Sequence, residues 1–238
     1  YSMECLRAAM AGGAVNLSLC DTNGSSLPDQ IADGVAGVAA EVGGKVELGI
    51  HAHNDAECGV ANSLAAVREG ARLVQGTING YGERCGNANL VSILPALELK
   101  MGYQVVGQDR IAELSATSHY VADLLNVAVD QDQAYVGRNA FAHKGGMHVA
   151  GIASDARTFE HLEPEQVGNS RMVLPSELSG KATVLARAKE IGLELDDEAA
   201  RKAIELLKER EHEGYHYEAA EASFDLLLRR VAGEDFLG

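Results

Sequence analysis

The sequence predicts an α/β protein in which βα units feed a parallel sheet and a mostly helical region follows. Two observations carry this reading. Short β-branched or apolar runs alternate with longer stretches of helical periodicity up to about residue 100, the pattern of strands joined by crossover helices. Beyond Gly102 helical spacing dominates.

The elements follow in order. A helix begins almost at Tyr1, with no strand before it. The first strand, Ala14 to Cys20, ends in the turn Asp21-Thr22-Asn23-Gly24-Ser25-Ser26. A helix starts near Pro28, a residue suited to a first turn, carries Ile31, Val35, Val38 and Val42 on one face, and stops at Gly43-Gly44. The second strand, Lys45 to His51, is followed by a helix with Val60, Leu64 and Val67 on one face. The third strand, Leu73 to Ile78, enters a glycine-rich loop, Asn79 to Asn87, and a helix runs from about Ala88 to Lys100. Three strands do not close a barrel, so the chain reads as the later part of a larger fold. Further helices are expected over Ile111 to Val127, Ala182 to Ile191 and Asp196 to Glu213, and through Phe224 and Leu228.

Composition narrows the functional classes. The 238 residues suit one large domain or two small ones, and 46% hydrophobic residues supply a sizeable core. Thirty-five acidic against 20 basic side chains give a net charge of -15, which disfavours nucleic acid and anionic membrane as partners. No apolar run approaches the about 20 residues that span a bilayer, and the first residues lack a signal-peptide pattern, so a cytoplasmic location is expected. Cys5, Cys20, Cys58 and Cys85 form no CxxC pair and are expected to be reduced thiols.

The polar residues gather just after each strand, where α/β sheets and barrels place their chemistry. His51 and His53 sit two apart at a strand end, so both point to one face and can share a metal ion. The same pattern also fits two hydrogen-bonded surface histidines. Asn87 can offer an amide oxygen as a third ligand, and Asp55 or Glu83 can orient the imidazoles from behind. Thr22 directs a hydroxyl from the first strand-end turn. The Asn79 to Asn87 loop contains three glycines yet matches no phosphate-binding fingerprint. A second candidate site is Phe141-Ala142-His143-Lys144-Gly145-Gly146-Met147-His148, where His148 can act as a general base; a lone histidine is more often structural.

His51-Ala52-His53-Asn54-Asp55, then Val60-Ala61-Asn62-Ser63-Leu64, then Gly82-Glu83-Arg84-Cys85-Gly86-Asn87 together resemble the α-isopropylmalate and homocitrate synthase family. The similarity covers essentially the whole chain. It implies the C-terminal portion, about strands six to eight, of a (β/α)8 TIM barrel over residues 1–102, a mostly helical linker region over 103–213, and the beginning of a regulatory, dimerising domain over 214–238. It further implies a divalent metal ion (Mn, Mg, Zn or Co) on His51, His53 and Asn87, acetyl-CoA as co-substrate and a 2-oxo acid whose carboxylate meets the Thr22 hydroxyl. His148 falls on the family's linker histidine, which assists proton or water activation. Gln75 to Leu90, the Phe141 to His148 stretch and Ser176-Glu177-Leu178-Ser179-Gly180-Lys181 are most similar to the branch of the family that takes pyruvate, an acyltransferase of isoleucine synthesis. Members taking other 2-oxo acids share the chemistry. A homodimer or larger assembly is implied for such a synthase.

One family motif is missing. RDGxQ, which supplies a metal-binding aspartate and an arginine, occurs nowhere in the chain. The expected ligand set is therefore incomplete, and the chain alone is expected to be inactive, or to serve as a non-catalytic assembly module. Its three βα units are expected to leave a parallel strand unpaired at an edge, favouring dimerisation or aggregation there.

Overall fold

A computed structural model describes residues 1–143, 148, 151–152, 154–173, 180–217 and 220–234. The chain divides into two compact units, Tyr1–Gly137 and Arg138–Gly238. The residues from 103 to 137 thus lie with the βα units.

In the first unit α1 (Ser2–Ala11) precedes β1 (Asn16–Asp21), α2 (Pro28–Val42), β2 (Glu47–Ala52), α3 (Gly59–Arg68) and β3 (Leu73–Gln75). The strands form a parallel sheet in the order β1-β2-β3. Cys20 is opposite His51, and His51 is opposite Gln75. Alternation then separates two faces. Leu17, Leu48, Ile50 and Ala52 are buried with Val35, Val38 and Val42 of α2 and Ala66 and Val67 of α3, and each large aliphatic side chain so buried contributes about 1.5–3 kcal/mol. The opposite face is polar: Gln75 donates to Ser18 Oγ at 3.3 Å and Ser18 to Asn16 at 3.0 Å. His51 belongs to that face.

The helix α2 begins and ends as its sequence requires. Pro28 occupies the first turn, Gln30 returns a side-chain bond to the Leu27 amide, and Gly43 takes the left-handed cap at φ 55°. The third strand is shorter than its composition predicts. It stops at Gln75 because Gly76 packs flat against the Ala88 carbonyl, and the chain then turns through Ile78–Gly80 with Asn79 at φ 61°. The following helix also divides. α4 (Leu90–Pro95), capped by the Asn89 side chain on the Val91 amide, gives way to a wider π-helical turn over Ala96–Lys100; Pro95 has no amide to continue the α ladder. The expected 111–127 helix is α5 (Gln108–Ile111) followed by α6 (Leu114–Leu125), ended by Asn126 in the left-handed region.

In the second unit β4 (Ala142–His143) pairs in parallel with β5 (Met172–Val173). Helices α7 (Lys181–Glu190), α8 (Asp197–His212) and α9 (Glu221–Val231) enclose a core of Val184, Ala200, Leu207, Phe224 and Leu228. Asp196 caps α8 on the Ala199 amide, and Arg187 of α7 holds Asp225 of α9 through two hydrogen bonds of 2.8 and 2.9 Å. No helix among the described residues is long and apolar enough to cross a membrane.

Candidate metal centre at the strand ends

The end of β2 brings two imidazoles together. His51 Nε2 and His53 Nε2 lie 3.3 Å apart, with ring centroids at 5.1 Å and planes at 77°. Such a pair satisfies one N–H and one lone pair; the Nδ1 atoms of both rings are buried with no hydrogen-bond partner among the described residues. Two ring nitrogens converge on one point, as a shared cation requires.

Asn87 lies beside His53 in the loop after β3. A one-residue antiparallel bridge sets it there, and bonds from Asn54 N–H to Gly86 O and from Ala88 N–H to Ala52 O bracket that bridge at 3.0 and 2.9 Å. The Asn87 side-chain amide donates to Tyr81 O at 3.1 Å, leaving its oxygen as the unspent acceptor under that amide assignment. Gly82 permits this, since any Cβ there would run into the Asn87 amide. Among the described residues no group of three or more His, Cys, Asp and Glu side chains gathers to hold a metal.

The two carboxylates expected to orient the imidazoles both have Arg84 beside them. Asp55 is taken by Arg84, through bonds of 2.8 and 3.0 Å, and this guanidinium holds its carboxyl below the usual carboxylate range. Glu83 is 85% exposed, with its nearest charged partner Arg84 Nη1 at 3.7 Å. Thr22 is exposed at the end of β1, and its backbone carbonyl accepts a 2.9 Å bond from Arg84 Nη2. Arg84 is the residue that sequence reasoning passed over. A charged side chain inside a loop motif gives no periodic signal of its partner 29 positions away.

His148 lies in the second unit, exposed, with its ring stacked 4.3 Å from that of Phe159. Next to Phe159, Glu160 is buried between His143, at 3.0 Å, and Arg171, at 2.6 Å from Nε. Residues 144–147 of the candidate stretch and 176–179 of the Ser176 to Lys181 motif lie outside the described residues. All four cysteines are free.

The HMGL-like family profile matches residues 2–157, and the profile described as homocitrate synthase post-HMGL domain-like matches residues 135–214. The chain belongs to the HMGL-like family, and its three βα units are a portion of that family's (β/α)8 barrel. It is 48% identical over 235 residues to the (R)-citramalate synthase of Geobacter sulfurreducens, covering 98% of the chain and 44% of that protein. The (R)-citramalate synthase of Aquifex aeolicus is 47% identical with the same shares. The 2-isopropylmalate synthase of Sulfolobus acidocaldarius is more distant, at 34% over 222 residues, covering 93% of the chain and 57% of that protein. The chain spans 44% of the length of these citramalate synthases.

Proposed function

We propose that the chain carries the metal-binding end of a citramalate-forming acyltransferase, which condenses the methyl carbon of acetyl-CoA with the carbonyl of pyruvate and releases coenzyme A. The observation that supports this most is the convergence of His51 Nε2 and His53 Nε2 at a strand end in a chain 48% identical to an (R)-citramalate synthase. The donor set suits a divalent ion: two neutral nitrogens 3.3 Å apart, joined by an amide oxygen from the neighbouring loop. When bound by His51, His53 and Asn87, such an ion supplies a Lewis acid for a carbonyl oxygen and charge to offset a developing alkoxide.

The chain's own groups do the rest. Thr22, exposed and anchored through its backbone, presents a hydroxyl to the carboxylate of a 2-oxo acid. Asn87, fixed by Tyr81 and by the bridge to His53, keeps its oxygen in place without cost at the moment of reaction. His148, exposed on the second unit, accepts or returns a proton at the active site of a neighbouring subunit. A cytoplasmic location and a homodimer or larger assembly of the full-length protein complete the reading.

The test is coenzyme A release from acetyl-CoA with a divalent ion and pyruvate, 2-oxoisovalerate or 2-oxoglutarate in turn. It is run on the chain alone and on the chain joined to a segment carrying the RDGxQ motif of a relative. The expected result is silence from the chain alone and pyruvate-dependent release from the joined protein. Release with 2-oxoisovalerate or 2-oxoglutarate in preference to pyruvate would assign another 2-oxo acid, and silence from both proteins with all three acids would refute the synthase reading.

A further inference from the structure

We infer that Arg84 is a positioning residue that ties together the loops after all three strands and thereby sets Thr22 relative to His51, His53 and Asn87. It rests, for its catalytic consequence, on the function proposed above. The argument begins with the order of the strands. β1 and β3 are not neighbours, because β2 lies between them, so their loops are separated by two strand spacings, about 9–10 Å. Among the described residues main-chain bonds join adjacent loops only. Ala56 N–H donates to Gly24 O, linking the second loop to the first, and Asn54 N–H donates to Gly86 O, linking the second to the third, both at 3.0 Å.

The link from the third loop to the first is made by one side chain. Arg84 starts in the third loop, bonds both oxygens of Asp55 in the second at 2.8 and 3.0 Å, and with the same Nη2 donates to Thr22 O in the first at 2.9 Å. A guanidinium is well fitted to bridge three loops, because it is planar, presents donors on several edges and remains charged. The loop is shaped to deliver it. Arg84 sits at φ 54°, in the left-handed region that a long side chain rarely enters. Gly24, across from it, lies so close to Asp55 that an added Cβ would meet the carboxylate oxygen and the backbone nitrogen at 2.5 and 2.8 Å. Each loop joined in this way carries one of the proposed ligand or substrate groups: Thr22 the first, His53 the second and Asn87 the third.

The test compares the chain with its R84K, R84Q and D55A variants by residue-resolved amide hydrogen exchange. The amides of Gly24, Asn54 and Ala56 are expected to exchange about tenfold faster in R84Q, with Ile50 and Leu48 in the sheet unchanged. R84K retains charge but cannot reach two loops at once, so it is expected to leave Gly24 and Ala56 as fast as in R84Q. D55A, which removes the carboxylate that aims Arg84 at Thr22, is expected to do the same and decides the matter should R84Q fail to fold. In a preparation that releases coenzyme A, R84K is expected to raise KM for the 2-oxo acid about tenfold with KM for acetyl-CoA within about twofold, a split that a general loss of structure does not produce. Exchange at Gly24 and Ala56 unchanged in R84K and D55A, or a KM for the 2-oxo acid unchanged in R84K, overturns the inference. Faster exchange in a chain whose wild type never yields an active preparation leaves the clasp standing and removes only its catalytic consequence.

Discussion

Glu160 is 7% exposed and meets two nitrogen partners, the Arg171 guanidinium and the His143 ring. The hydrogen bonds of Arg171, and after them that of His143, hold its carboxyl below the usual glutamate range against the opposing effect of burial. The sign of the consequence follows. A carboxyl with a lowered folded pKa contributes stability that is fully present above its unfolded value, about 4.3, and is lost as pH falls through the lower folded value. Acid unfolding of the Arg138–Gly238 unit is therefore expected to steepen below about pH 4, and E160Q to flatten that limb. At neutral pH the same substitution leaves Arg171 only the longer 3.5 Å pairing with Glu163 and is expected to cost about 1–3 kcal/mol, read as a lower denaturation midpoint. An unchanged midpoint would show that the three groups do not act as a unit. None of this was legible in the sequence: His143 and Glu160 are 17 residues apart, and a buried ion pair has no period.

Among the secondary-structure elements the glycines separate two kinds of position. Gly34 lies in α2 with open space where a Cβ would go, so Gly34→Ala is expected to raise stability by about 0.5–1 kcal/mol through helix propensity and the entropy of the unfolded chain. Gly24 has φ 63° and Asp55 against it. Gly24→Ala is expected to cost about 1–3 kcal/mol through strain and contact, and thermal unfolding of the two variants should move in opposite directions. Period and capping made α2 readable, from Pro28 to Gly43. They failed where the backbone is set by close approach. β3 ends at Gln75 rather than Ile78, and α4 widens after Pro95, because packing against Ala88 and a missing amide override the local pattern.

At the scale of the whole molecule, the parallel order β1-β2-β3 and the helices covering one face of it follow from alternation and hydrophobic spacing. The unit boundary at Gly137 does not follow from them. Asn79 in the strand-end loop donates to Ser118 O and accepts from Ser118 Oγ of α6 at 2.9 and 2.6 Å, so the segment past Gly102 belongs with the sheet for reasons of tertiary contact. The candidate site was legible in its donors and not in its supports. The HxH spacing at a strand end brought His51 and His53 forward, while Arg84, which joins their loop to that of Thr22, carries no mark that distinguishes it from any other loop arginine.

The measurement that bears most directly on the account is equilibrium binding of Mn2+ to the chain, followed by electron paramagnetic resonance, beside its His51→Ala and Asn87→Ala variants. The predicted result is a single site whose affinity falls more than about tenfold in His51→Ala and less steeply in Asn87→Ala, with thermal unfolding of the metal-free proteins little changed. A chain that binds no Mn2+, or binds it equally well without the His51 imidazole, would show that the two histidines at the end of β2 pair only with each other.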